Sequence, residues 1–288
     1  MHYGYIGLGN LGGHLAHSLV KKGYEVTVFD LDRSLADRHL KDGAKWADSP
    51  AELAGQVDAV FTCLPSPTVS EKVLAQILTT LKPGSSWIEN STNGRDEMIR
   101  LAAMAEAKGI QVLEAPVTGG VHLAARGEIT VLVGGEKALF EQHKAALETI
   151  GRKIFHMGPI GSAAVIKVIT NMLAFIHLVA DAEALMLAKR GGLDLGQAWA
   201  AITASSGTSF VHETEGQLIL NGSYDIAFTM DLALKDLGFA MNFGKEFGVP
   251  LDLASMTQQT FMKGKAAYGG AGPTPPVAHL PGGLLETD

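Results

Sequence analysis

The sequence predicts an α/β first half, one long connecting helix, and an all-helical second half. Three observations carry that reading. Over residues 2–156, short apolar runs alternate with amphipathic helical stretches, the rhythm of a parallel or mixed sheet covered on both faces. Residues 162–190 make one apolar helical run with polar residues only at intervals. After Arg190 the strand patterns cease and no arginine recurs. The expected domains are 1–160 and 161–288, and 288 residues are enough for both.

Composition narrows the function classes. Hydrophobic residues make up 47% of the chain and charged residues 18%, which supports a sizeable core. A net charge of −7, with no Lys/Arg run, argues against a nucleic-acid surface. Cys63 is the one cysteine, so neither a disulfide framework nor a cysteine-rich metal site is expected. It sits in the strand pattern V-F-T-C-L-P and reads as a small core residue. His14 and His17 lie three apart on a helix, but without acidic or cysteine partners they are not expected to hold a metal. The chain reads as entering a strand directly, so no signal or transit segment and a cytoplasmic protein are expected.

Each element has a local reason. Residues 2–9 read as a strand running into glycines. The helix over 11–22 is stopped by Gly23, and 24–29 is a second strand ending at Asp30. A helix over 34–42 and a short strand over 43–46 follow. Ser49 and Pro50 open a helix to Gly55, since proline suits the first helical turn. The apolar run 58–64 reads as a buried parallel strand that leaves the sheet at Leu64-Pro65. Further helices are expected over 69–81, 96–108 and 137–150, and further strands over 86–89, 111–114, 128–134 and 153–156. Residues 115–120, A-P-V-T-G-G, read as a turn. The second half offers helices over 195–203, 210–220, 231–247 and 253–267, then an irregular Pro/Gly-rich tail.

The first strand, glycine turn and helix carry the clearest chemistry. Gly7, Leu8, Gly9, Asn10, Leu11 and Gly12 open the helix, and Asp30 ends the next strand twenty-three residues after Gly7. This is the context of a Rossmann-type dinucleotide fingerprint. The glycines let backbone N–H groups approach a pyrophosphate at a helix N-terminus. Asp30 would accept hydrogen bonds from ribose hydroxyls and repel a 2′-phosphate, so NAD is expected rather than NADP, with Arg33 close enough to blur the choice.

The long helix runs from Ser162, its expected N-cap, to its stop at Gly191-Gly192. It is apolar nearly all round and should be buried on most sides. Lys167, Asn171, His177, Asp181 and Glu183 are expected to interrupt it too often for a membrane span. Lys167 and Asn171 are four apart and share a face. A lysine near the positive end of a helix dipole, among branched apolar residues, holds its proton less tightly, which suits proton transfer.

Four motifs occur in order: G-Y-I-G-L-G-N-L-G, A-P-V-T-G-G, the glycine-to-asparagine stretch from Gly161 to Asn171 with Lys167 inside it, and K-D-L-G-F-A from Lys235 to Ala240. With them the chain resembles the β-hydroxyacid dehydrogenases from about residue 3 to about residue 250. The resemblance implies a Rossmann-type NAD-binding domain, a long interdomain helix and an all-α C-terminal domain. It implies that Lys167 is catalytic, that Asn171 fixes the substrate, and that Thr118, Gly119 and Gly120 receive a substrate carboxylate. Ser91 and Thr92 would lie beside the nicotinamide, Leu64 and Pro65 would line the cofactor cleft, and Lys235 would close over the cofactor. Departures stand out: Glu89 and Asn90 replace an aspartate and a serine common in the family, and Thr118 replaces another serine.

The expected reaction is hydride transfer between NAD and a small β-hydroxy acid or its semialdehyde. A small carboxylate is the expected partner, in a homodimer or homotetramer. The alternatives are an NADPH-dependent imine reductase, an aldehyde reductase for succinic semialdehyde or glyoxylate, and a dinucleotide-binding interaction module with a dead site. Lys167 and Asp30 argue against the first, and Lys167 against the last. A decarboxylating sugar-phosphate dehydrogenase would need a phosphate grip that a second half without arginine does not offer.

Overall fold

A computed structural model describes residues 1–223 and 227–270 of the chain. The chain divides into two compact units, Met1–Lys167 and Val168–Asp288, so the division falls inside the long helix rather than ahead of it.

The first unit alternates strand and helix as expected. Its elements are β1 (His2–Ile6), α1 (Gly12–Lys21), β2 (Glu25–Phe29), α2 (Asp37–Lys41), β3 (Lys45–Trp46), α3 (Pro50–Gly55), β4 (Ala59–Thr62), α4 (Pro67–Ile77), β5 (Ser86–Glu89) and α5 (Arg95–Glu106). They continue with β6 (Gln111–Glu114), β7 (Val117–Thr118), α6 (Val121–Ala124), β8 (Ile129–Gly135), α7 (Lys137–Ile150) and β9 (Gly151–Gly158). The strands form one mixed sheet in the order β3-β2-β1-β4-β5-β6-β8-β7, with β9 added on β8. From β3 to β6 all neighbours are parallel; β8 runs antiparallel to β6 and β7. Strand order reverses between β1 and β4, which makes the ends of those two strands the natural ligand edge.

Both faces of the sheet are covered. Neighbouring residues on a strand point to opposite sides. Tyr5, Phe61, Ile88 and Leu113 therefore pack on one side with Leu15, Leu19 and Leu147. Ile6, Val60, Trp87 and Val112 pack on the other with Leu74, Leu101 and Ala105.

Three local expectations need correction. The helix expected over 34–42 is split: a tight 3₁₀ turn, Arg33–Ala36, capped by Asp32, precedes α2. The helix expected over 69–81 starts earlier and ends earlier, because Ser66 caps it and Pro67 occupies its first turn. The turn expected over 115–120 contains the short strand β7 and is followed by α6.

The sheet also buries a histidine. His143 on α7 is fully buried, with Nε2 against Ser86 Oγ at 2.9 Å and Nδ1 against Tyr3 OH at 3.3 Å. Burial pushes its imidazole down to about 4. As pH falls below the ordinary imidazole value near 6.5, the unfolded chain takes up a proton that the native chain refuses. Stability is therefore lost between about pH 6.5 and 4, by on the order of 3 kcal/mol. Wild type should lose more of its melting temperature between pH 7 and 4.5 than His143→Gln, since contributions from other groups cancel in that comparison. Parallel pH curves for the two proteins would contradict this.

The second unit takes the rest of α8 (Ser162–Arg190), then α9 (Leu195–Thr203), α10 (Phe210–Leu220), α11 (Met230–Phe247) and α12 (Asp252–Tyr268). Phe175, Leu178, Leu185, Val211, Met230, Leu237 and Phe261 form its core. Inside it His212 is fully buried, with Nδ1 3.2 Å from Asp181 Oδ1, and this contact ties α10 to α8. The irregular tail expected after residue 270 lies outside the described residues.

The expectation that α8 is buried on most sides does not hold within one chain: Leu173 is 43% exposed and Leu187 76%. Nor do its polar residues disqualify it by composition. Among the described residues it is the one helix long and apolar enough to cross a membrane. Its polar positions Lys167, Asn171 and Asp181 are instead buried within the protein.

Candidate functional site

The glycine turn follows β1 at the sheet's ligand edge. Gly7 adopts a φ of +96°, open to glycine and costly for other residues. A Cβ there would overlap the carbonyl oxygen of Cys63, and one at Gly12 would overlap that of Gly7. These two glycines thus let β1, β4 and α1 close on one another. Gly9 differs, because a Cβ there would meet nothing within 4 Å. The backbone at Gly9 borders open space, and α1 begins beyond Leu11 without a side-chain cap. A bare helix N-terminus beside an open glycine fits a pyrophosphate.

Asp30 stands at the end of β2. Its Oδ2 accepts the Leu8 N–H at 2.6 Å and its Oδ1 the Asp32 N–H at 2.9 Å. The carboxylate therefore holds the glycine turn while remaining half-buried at its edge. Arg33 is turned to other partners: its guanidinium lies 5.0 Å from the centre of the Trp46 ring and 3.7 Å from Asp48.

The ends of β4 and β5 are laced together. Leu64 is half-buried and Pro65 exposed. The Ser91 hydroxyl accepts the Leu64 N–H at 2.7 Å, and the Ser91 N–H donates to Glu89 Oε1 at 2.7 Å. Ser91 is buried, so its side chain braces the strand ends, and half-buried Thr92 follows at the rim. The departure at Asn90 also has an internal explanation. Its Oδ1 accepts the Tyr5 hydroxyl at 3.0 Å and its Nδ2 donates to the Ala115 carbonyl at 2.6 Å. This side chain spans from β1 to the residue after β6, which a serine is too short to do.

Thr118 pairs with Thr130 of β8, and Gly119 and Gly120 follow with φ of +124° and +83°. Thr118 and Gly119 are half-buried and Gly120 is exposed. His122 on α6 folds back over Gly120, its ring 3.2 Å from where a Cβ would sit.

Lys167 is only 8% exposed, deep in the second turn of α8, and its charge bears on the thiol of Cys63. Cys63 in turn lies against Gly7, so the lysine belongs to the same corner as the glycine turn. The cap expected from Ser162 comes from elsewhere. Glu114, at the end of β6, accepts the Ala163 and Ala164 N–H groups at 2.8 and 3.1 Å.

In the second unit, Asn171 and Lys235 meet on a residue that sequence reasoning passed over. Asp236 is 2% exposed. It accepts the Asn171 Nδ2–H at 2.6 Å through Oδ2 and the Lys235 Nζ–H at 2.7 Å through Oδ1. The signal was present, since Asp236 is the acid beside Lys235 in K-D-L-G-F-A. With its amide nitrogen so engaged, Asn171 is held to one orientation. Lys235 also lies 5.1 Å from the centre of the Phe239 ring.

Known proteins share this architecture along nearly the whole chain. Residues 2–158 match the NAD binding domain of 6-phosphogluconate dehydrogenase, and residues 161–275 match the family described as NAD-binding of NADP-dependent 3-hydroxyisobutyrate dehydrogenase. The chain is 34% identical over 267 residues to 2-(hydroxymethyl)glutarate dehydrogenase of Eubacterium barkeri, covering 91% of this chain and 89% of that one. It is 31% identical to L-threonate dehydrogenase of Cupriavidus necator, covering 97% and 96%. The crystal structure of 3-hydroxyisobutyrate dehydrogenase from Salmonella typhimurium superimposes with a TM-score of 0.90 at 31% identity, covering 96% of this chain and 99% of that one. An imine reductase from Myxococcus stipitatus, 18% identical with a TM-score of 0.66, shares the fold alone. The chain belongs to the β-hydroxyacid dehydrogenases, NAD(P)-dependent oxidoreductases that act on a CH–OH group.

Proposed function

We propose that this protein is an NAD-dependent dehydrogenase of a small β-hydroxy acid, with Lys167 as its general acid and base. The observation that carries the reading is Lys167 itself, buried beside Cys63 in the corner that holds the glycine turn, where its neutral amine can accept a proton and its ammonium form return one. A lysine side chain buried in that corner, next to the turn that fits a pyrophosphate, is placed for a proton that moves. The bound nicotinamide supplies hydride transfer. Lys167 takes the hydroxyl proton as the alcohol is oxidised and returns it in the reverse direction. The Thr118 hydroxyl and the Gly119 and Gly120 amides receive the carboxylate. Asn171, held by Asp236, orients the substrate hydroxyl.

Asp30 supports NAD over NADP. Its carboxylate, fixed to the turn through Leu8, offers acceptors to ribose hydroxyls and repels a 2′-phosphate. Exposed Ile169, Leu173 and Leu187 along α8 support a homodimer or homotetramer.

Initial rates of NADH and NADPH formation over a panel of β-hydroxy acids, including hydroxyisobutyrate, glycerate, serine and 3-hydroxypropionate, test the reading. One acid should give a clear rate, with kcat/KM at least ~100-fold higher for NAD than for NADP. Asp30→Asn should shrink that ratio while weakening both cofactors, because it also loosens the glycine turn. Silence across the panel with NADH binding intact, or reduction of imines or aldehydes alone, would overturn the proposal.

A further inference from the structure

We propose that Glu114 is the positioning residue of Lys167: its buried carboxyl group fixes the first turn of α8, one helical turn ahead of the lysine. The inference rests on the reading of Lys167 as acid and base.

Glu114 is 1% exposed. Its Oε1 accepts the Ala163 N–H at 2.8 Å and its Oε2 the Ala164 N–H at 3.1 Å. Helices leave these early N–H groups without internal partners, and a side chain just ahead of the helix usually takes them. Here they are taken from β6, a separation of 49 residues for Ala163. Both oxygens act as acceptors, which is the behaviour of a carboxylate, since a protonated carboxyl would need a partner for its O–H. A second strand makes room for it. Gly134 of β8 faces Glu114 in the antiparallel ladder, and a Cβ at Gly134 would overlap the Glu114 carboxylate. Three elements thus converge on one acid.

Lys167 follows Ala163 by four residues, about 6 Å along the helix axis. The capped turn and the lysine therefore share one short stretch of helix, and the turn sets where that stretch begins. Burial and the N–H groups of Gly161, Ala163 and Ala164 bear on Glu114; burial dominates and pushes its carboxyl up to about 7.

The test is kcat and KM for alcohol oxidation, read for wild type, Glu114→Gln and Glu114→Asp, beside NADH binding by fluorescence and thermal unfolding. Glu114→Gln should bind NADH as wild type does and melt a few degrees lower. Its kcat should fall about 10-fold at unchanged KM. Glu114→Asp keeps both acceptor oxygens on a shorter stem and should lose less of kcat. A wild-type kcat in Glu114→Gln, with Lys167→Ala inactive, would reduce Glu114 to a structural cap and overturn the inference alone. Full turnover in Lys167→Ala would instead remove the reading beneath it. Should Glu114→Gln fail to fold, Glu114→Asp decides: a lowered kcat at unchanged KM supports positioning, and a wild-type kcat overturns it.

Discussion

Lys167→Ala is expected to lower kcat by about 10³-fold while leaving NADH affinity within a factor of two or so. The argument is geometric before it is chemical. Lys167 sits in the second turn of α8 and is buried beside Cys63, while the cofactor contacts are assigned to the glycine turn and Asp30. Truncating the lysine removes the proton carrier. Thermal unfolding of the variant, read beside its kinetics, separates lost chemistry from lost fold. The loss should appear in kcat rather than KM, since the group acts on the hydroxyl proton at the moment of transfer. Added small primary amines should restore part of the rate. A variant that turns over within about tenfold of wild type would end Lys167's candidacy as acid and base.

A second large effect is expected at the glycine turn, where two glycines should fail in different ways. Gly7→Ala places a methyl onto the Cys63 carbonyl and forces a side chain into a positive φ of +96°. Backbone cannot rotate out of the way, so a cost of several kcal/mol is expected. The variant should melt about 10 °C lower, or accumulate insoluble, and bind NADH at least ~100-fold more weakly. Gly9→Ala is the control, because nothing lies within 4 Å of its new methyl. It should melt as wild type does and still lose NADH affinity, as the methyl occupies the space a pyrophosphate needs. Calorimetry and NADH titration of both variants separate fold from site. Unchanged NADH affinity in Gly9→Ala would show that the pyrophosphate does not approach there.

Much of this was legible in the sequence because the signals are local. α3 begins at Pro50 behind Ser49, whose hydroxyl caps it, as the two residues announce. α7, α9 and α10 span Lys137–Ile150, Leu195–Thr203 and Phe210–Leu220, the ranges their periodicity predicts. The glycine turn was readable because strand, glycines, helix and acid fall within one short stretch. What escaped was long-range or very short. β7 has two residues and α6 four, too few for either period to register. The cap of α8 was misplaced on Ser162 because no local pattern points to a glutamate on a distant strand. Ser91 and Asn90 read as site residues or departures, yet their side chains are turned into the strand ends, and only partners 27 residues away at Leu64 and 85 away at Tyr5 reveal it. Asp236 was overlooked because its neighbour Lys235 drew the functional assignment, although the buried acid organises both Lys235 and Asn171.

The facing pair Glu114 and Gly134 also constrains how this chain can drift. With glutamate at 114, any side chain at 134 collides with the carboxylate that holds α8. Position 134 is therefore closed to substitution until 114 has shortened, and a shortened 114 uncaps the helix unless 134 or a neighbour supplies a new acceptor. Neither single step is neutral, so the two positions must change in order or together. A barrier of that kind preserves a glycine that touches no substrate.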